Sequence, residues 1–269
     1  MEIIHVIIIS FIEGLTEYLP VSSTGHMIFA SSYFGIQSHD FVKMFQVSIQ
    51  FGAILAVVVL YWKKFFDFSN WRFYAKLAVA VIPALILGKI FDDKIDAVLE
   101  KPIPIAIALI VGGIALLFLG EYFQNPTVTS EEQITFKKAI TIGVWQCLAM
   151  MPGTSRSAVS IIGGMQQGLN RETAAEFSFF LAVPTMLAVT CYAVFLKTYN
   201  TVHMKGYEML MLGDNMRLFL IGNAIAFVVA LIAIKLFVGL IKKYGFKPWG
   251  YYRIFAGIII LVYFTYNNK

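Results

Sequence analysis

Residues 13–26 read Glu13-Gly14-Leu15-Thr16-Glu17-Tyr18-Leu19-Pro20-Val21-Ser22-Ser23-Thr24-Gly25-His26, a polar island between apolar flanks. The apolar segment entering it, Glu2 to Leu19, carries both carboxylates. The one leaving it, Ser22 to Gly35, makes only about four helical turns. Neither is an ordinary membrane span, which needs roughly 17–25 residues. Pro20 suits a turn before a new helix start. The spacing therefore predicts a re-entrant helical hairpin over residues 2–35, entering and leaving the membrane on one side. Its exposed backbone is tolerable only where it is buried in protein or lines a wet cavity.

A second island follows the same plan. Gln146-Cys147-Leu148-Ala149-Met150-Met151-Pro152-Gly153-Thr154-Ser155-Arg156-Ser157 joins Phe136 to Met151 with Ser155 to Gln167, again through a proline. A shift of 132 residues lays Pro20 on Pro152, Ser22 on Thr154 and Ser23 on Ser155. The same shift lays Phe45 on Phe177 and Leu55-Ala56-Val57 on Leu187-Ala188-Val189, which points to an internal duplication.

Six apolar runs are long enough to cross: Phe41 to Trp62, Tyr74 to Phe91, Ile103 to Phe123, Ala174 to Leu196, Leu218 to Ile241 and Tyr251 to Tyr266. Composition agrees, with 59% hydrophobic and only 14% charged residues, against about a quarter charged in soluble domains. Mean hydropathy is +0.75. The polar stretch 124–134 is the natural joint between a first half, 1–123, and a second, 135–269, whose hairpin covers 136–167. Each half holds three spans. Three is odd, so the second half enters the membrane upside down. The expected fold is an all-α polytopic membrane protein of two inverted-topology repeats, with six full transmembrane helices plus two re-entrant hairpins and a site near the midplane.

Basic residues set the orientation. Lys63, Lys64, Arg72, Lys137, Lys138, Arg171, Lys242, Lys243 and Lys247 gather on one side, expected to be cytoplasmic. The other side has the loop 92–96 and the loop around Lys205, so both termini and the first hairpin are expected to face outward. Trp62, Trp71, Trp249, Tyr251 and Tyr252 are read as interface belts. The start, Met1-Glu2-Ile3-Ile4-His5, lacks the basic region and cleavage site of a signal peptide, so the N-terminus is expected to be retained. Cys147 and Cys191 lack ligand spacing and are read as packing residues.

A charged group at bilayer depth costs on the order of 2.5–3.5 kcal/mol even on insertion scales, so the islands need pairing or a function. Glu13 and Glu17, four apart, share a helix face. A cation between them relieves their repulsion, either Arg156 or a divalent metal, and carboxylates suit Mg2+ or Ca2+. Ser22, Ser23, Thr24, Thr154, Ser155 and Ser157 stand at helix starts, where free N–H groups and the helix dipole favour an anion. Plain N-capping needs only one hydroxyl at each start. With the planar fork of Arg156, the two starts would grip a phosphate from opposite sides. His26 lies one turn after Ser22 and Ser23, within reach of proton exchange with a hydroxyl or a leaving oxygen. A Glu–Arg pair gluing the hairpins is the plainer reading, but it needs only one glutamate. Gln46, Gln50, Gln146 and Glu176 are read as interhelical hydrogen-bonders, while His5, His39 and His203 are scattered.

The stretch 13–26 resembles the signature of the undecaprenyl-diphosphate phosphatases, the bacitracin-resistance family of bacterial membranes. Residues 152–157 are similar to that family's second motif, and the likeness extends through Glu176 to Pro184 and the ending Pro248-Trp249-Gly250-Tyr251-Tyr252-Arg253. The resemblance implies hydrolysis of the terminal phosphate of undecaprenyl diphosphate, recycling the carrier lipid for peptidoglycan. It also implies a divalent cation requirement and tolerance to bacitracin, which competes for the substrate. The implied catalytic residues are Glu13, Glu17, Ser23, His26 and Arg156. Metal falls to the two glutamates, and either Ser23 or an activated water is the nucleophile. Expected partners are the polyprenyl diphosphate, membrane lipid and a second copy in a homodimer, with no nucleic acid. The inner membrane is the expected location, with the site opening to the periplasmic side. A transporter or flippase of a polyprenyl phosphate is the rival class, favoured by inverted repeats but making less use of hydroxyls beside paired carboxylates.

Overall fold

The computed structural model describes residues 1–99, 101–123 and 125–267, without the side chains of residues 93, 96, 97, 99, 119–121 and 267. Helices α1 (Ile3–Thr16) and α2 (Ser23–Tyr33) form the first hairpin, followed by α3 (Asp40–Ser48), α4 (Gln50–Leu60), the short α5 (Trp62–Phe65), α6 (Trp71–Leu99) and α7 (Pro102–Tyr122). Then come α8 (Phe136–Gln146), α9 (Arg156–Gln166), α10 (Arg171–Cys191), α11 (Gly206–Leu210), α12 (Asn215–Tyr244) and α13 (Lys247–Asn267). A two-stranded antiparallel ribbon, β1 (Thr198–Tyr199) with β2 (Met204–Lys205), closes the turn after α10. The protein is an all-helical membrane protein, as the composition requires: a chain in lipid must satisfy its backbone internally, and a helix does so within one segment.

Four helical stretches are long and apolar enough to cross a membrane by length and composition: Asp40–Leu60, Trp71–Asp92, Arg171–Leu196 and Asn215–Tyr244. The other two expected spans correspond to α7 and α13, of 21 residues each. The expected span from Phe41 corresponds to Asp40–Leu60, with a change of turn at Ile49, and just beyond it Gly52 N–H donates to Asn223 Oδ1 at 2.8 Å. The expected loop at 92–96 is instead helical, because α6 runs on to Leu99. Asp92 there accepts from the Tyr192 hydroxyl at 2.6 Å. Cys191 is exposed rather than packed. Trp249 packs its ring on Phe237, centroids 5.5 Å apart.

The core lies around α10, whose Phe179, Phe180, Leu181 and Ala182 are fully buried. Tyr61, Phe65 and Phe73 meet Phe180 edge-on, the arrangement the ring quadrupole favours. Small residues set the helix spacing. A Cβ on Gly14 of α1 would lie 2.6 Å from the Ala226 carbonyl of α12. Gly143 of α8 meets the Ala80 backbone of α6 in the same way. Each hairpin's first helix thus packs against a long helix from the other half of the chain.

The joint is anchored. Its Thr127 and Val128 N–H groups both donate to the Gly168 carbonyl, and Lys64 pairs with Glu131 at 2.9 Å. Gln124 of that stretch lies outside the described residues.

Candidate active site

The two hairpin tips are built alike. After each proline the chain enters its next helix through a serine with left-handed φ, +69° at Ser22 and +77° at Ser155. Such a backbone costs about 1–3 kcal/mol for a residue with a Cβ and persists only where surroundings over-determine it. Each serine caps its own helix, Ser22 Oγ accepting from Gly25 N–H and Ser155 Oγ from Ala158 N–H. The structural counterparts are therefore Ser22 with Ser155 and Ser23 with Arg156, one residue away from the pairing that the 132-residue shift implies. Local turn geometry decides the register here, and a gapless shift cannot show it.

Glu17 sits at the centre. Its Oε1 accepts from Arg156 Nη2 at 3.0 Å and Nε at 3.3 Å, and its Oε2 accepts from Ser23 Oγ at 2.6 Å. Arg156 Nη1 also donates to the Ser178 carbonyl at 2.8 Å, and Ser178 Oγ bonds to Ser160 Oγ at 2.7 Å. Both charged groups are buried, 6% and 8% exposed. The Glu–Arg pair thus joins the hairpins, as the plainer reading supposed, but it holds the Ser23 hydroxyl as well.

Glu13 is different. It lies beside Glu17 and Ser23, is fully buried, and neither carboxylate oxygen has a hydrogen-bond partner. A buried carboxylate without a donor is costly. Among the described residues no group of three His, Cys, Asp or Glu comes together. Two adjacent carboxylates, one with both oxygens unpartnered, nonetheless fit Mg2+ or Ca2+, because such ions commonly complete their shell with substrate phosphate oxygens and water.

The remaining expected residues divide. Ser157 Oγ donates to the Leu19 carbonyl at 2.8 Å and lies 3.1 Å from Ser155 Oγ, stitching one tip to the other. Thr24 and Thr154 are half-buried at the two tips. His26 does not reach Ser23: its Nδ1 is 2.8 Å from the Ser22 carbonyl and its Nε2 2.8 Å from the Tyr252 hydroxyl. Gln46 Nε2 donates to the Met27 carbonyl, Gln146 Nε2 to Thr185, and Glu176 accepts from Tyr61, which is the interhelical role expected of them.

Two residues here were not singled out from the sequence for the site. Tyr252 meets His26 instead of serving only as an interface aromatic. Arg253 is fully buried and donates to five backbone carbonyls: Nε to Leu109, Nη1 to Pro20 and Thr154, Nη2 to Ala108 and Gly153. All five N–H groups of its guanidinium are used, tying both tips to α7. Its signal was present: an arginine two residues inside an apolar run is an intramembrane charge.

The family described as bacitracin resistance protein BacA matches residues 6–259. A protein of Flavobacterium psychrophilum named undecaprenyl-diphosphatase is 54% identical over 265 residues, covering 97% of this chain and 96% of the relative. One of the same name from Flavobacterium johnsoniae is 52% identical over 266 residues, covering 97% and 96%. Another, from Porphyromonas gingivalis, is 46% identical over 279 residues with the same coverage. With the match running through both tips, from α1 to α13, this chain belongs to the bacitracin resistance protein BacA family.

Proposed function

We propose that this protein hydrolyses undecaprenyl diphosphate to undecaprenyl phosphate and inorganic phosphate. The observation that carries the reading is Glu17, which holds the Ser23 hydroxyl on one oxygen and Arg156 on the other, beside a second, unpartnered carboxylate. The names of the relatives point the same way.

Ser23 is the nucleophile. Its Oγ attacks the terminal phosphorus and its proton passes to Glu17. The bridging P–O bond breaks, with the electron pair leaving on undecaprenyl phosphate. Water then attacks the phosphoserine, releasing inorganic phosphate and restoring the hydroxyl. Arg156, with the N–H groups near Ser155 and Ser157 and the hydroxyls of Ser22, Thr24 and Thr154, binds phosphate oxygens and offsets charge developing in transfer. Glu13 and Glu17 would hold a divalent cation, which when bound would draw charge from the phosphate oxygens. His26 acts on the leaving-group side, since its ring nitrogens face Ser22 and Tyr252 rather than Ser23.

The lipid tail lies in the membrane, and the tips open to the periplasmic side of the inner membrane, a reading supported by the basic residues at the opposite ends of the helices. The two halves are inverted repeats: α1 packs against α12 and α8 against α6, the pairing of corresponding elements across the halves that such symmetry generates. The test is phosphate release from a C55 diphosphate lipid by purified protein in detergent, with and without divalent metal, beside Arg156→Ala. Metal-dependent release, lost at least a hundredfold in the variant, is expected. No release by folded wild-type protein across metals and lipid lengths would transfer the assignment to transport of a polyprenyl phosphate.

A further inference from the structure

We infer that Tyr252 is a positioning residue for His26, holding the ring in one tautomer with its basic nitrogen aimed away from Ser23. The inference rests on the reading of His26 as a participant in the reaction. His26 Nδ1 stands 2.8 Å from the Ser22 carbonyl oxygen. A carbonyl only accepts, so in the neutral ring the hydrogen is on Nδ1. Nε2 is then bare, and the partner 2.8 Å from it, the Tyr252 hydroxyl, is the donor. The two rings lie nearly parallel, 10° apart with centroids at 5.6 Å. Ring and hydroxyl thus constrain the imidazole together.

The anchor behind Tyr252 is what makes this a device rather than a passing contact. Its neighbour Arg253 is bonded to the carbonyls of Pro20, Gly153 and Thr154, so the start of α13 is registered to the same tip that carries Ser22 and His26. A shift of α13 that moved the Tyr252 hydroxyl would have to break those bonds. The consequence is a division of labour: the Ser23 proton faces Glu17 at 2.6 Å, while the lone pair of His26 is reserved for the side where Tyr252 stands. Tyr252 itself is 44% exposed, at the edge of the site.

The full-length protein in detergent, labelled with 15N-histidine, tests the tautomer directly, because it contains only four histidines and His26→Gln identifies the resonance. The expected neutral His26 carries its hydrogen on Nδ1 with a hydrogen-bonded Nε2, and Tyr252→Phe moves the Nε2 signal to the unbonded position. The same variant lowers kcat about tenfold with KM within about twofold. In a His26→Gln background it causes no further loss, since a residue acting through His26 has nothing left to act on. A wild-type ring protonated on Nε2, wild-type kcat in Tyr252→Phe beside an impaired His26→Gln, or additive losses would each overturn the inference alone. A fully active His26→Gln would remove the catalytic reading of His26, and the role of Tyr252 with it.

Discussion

Glu17 is the residue on which most of the site depends, because it compensates Arg156 and orients Ser23 at once. Breaking a buried ion pair from one side costs about 3–5 kcal/mol, since the partner is left as an unpaired buried charge. Glu17→Gln should therefore both abolish phosphate release and lower the thermal unfolding temperature in detergent, whereas Glu13→Gln should abolish metal-dependent release while leaving the unfolding temperature unchanged or raised. The contrast follows from burial without a partner: the Glu13 carboxyl makes no hydrogen bond or ion pair that an amide of the same shape would lose. Equal destabilisation by both would contradict it. Ser23→Ala reads the chemical step. With Ser23 as nucleophile, the variant is inactive and a phosphorylated serine can be trapped from wild type by rapid acid quench; activity surviving in Ser23→Ala would assign the attack to water. That these residues are candidates for the site was legible in the sequence from their cost at bilayer depth. Which of them touch was not: Glu17 and Arg156 are far apart in the chain, and Arg156 had two glutamates to choose from.

At the scale of elements, the hairpin tips owe their shape to strained serines and to one arginine. A left-handed φ tolerates glycine freely and a larger residue poorly, and glycine forfeits only a few tenths of a kcal/mol as an N-cap. Ser155→Gly should thus cost less stability than Ser155→Ala, by about 1 kcal/mol, as read from thermal or denaturant unfolding; the reverse order would mean that the tip is not held in this conformation. Arg253→Lys keeps the charge but exchanges a planar five-donor fork for three donors on one nitrogen, leaving buried carbonyls unpartnered at roughly 1–3 kcal/mol each. It should loosen both tips together, seen as faster proteolysis or hydrogen exchange at residues near Pro20 and Gly153 alike. The helices themselves, their prolines and their approximate ends follow from local pattern. The contact of Gly52 with Asn223, the continuation of α6 through 92–96 and the one-residue change of register at the tips do not: the first depends on a partner elsewhere in the chain, and the last on turn geometry that a gapless shift cannot show.

Across the whole molecule, the proposed topology puts the basic helix ends and the ends of the first hairpin on opposite faces. Once Cys147 and Cys191 are replaced, a single cysteine at Tyr33, exposed at the end of α2, should react with a membrane-impermeant maleimide from the periplasmic side, and one at Lys63 only after the membrane is opened. Labelling of both from one side would refute the outward-facing first hairpin and the crossing of α3 and α4. The apolar faces that remain exposed, such as Ile82, Leu85, Ile86 and Ile90 along α6, are what lipid covers, and their extent is explained by no aqueous surface.

By itself, the sequence determined that the chain is helical, that it lies in a membrane, that two proline-broken hairpins carry its polar residues, and which of those residues are candidates for binding a phosphate. These are consequences of local pattern: apolar run length, backbone satisfaction within a helix, and the cost of each charge. Only the tertiary structure decided that Glu17 pairs with Arg156, that the Glu13 oxygens find no hydrogen-bond partner, that His26 faces Tyr252 rather than Ser23, and that Arg253 ties the tips to α7. Those facts depend on which helices approach and at what depth. That is fixed by small residues such as Gly14 and Gly143 meeting distant backbone, contacts that no stretch of chain specifies alone.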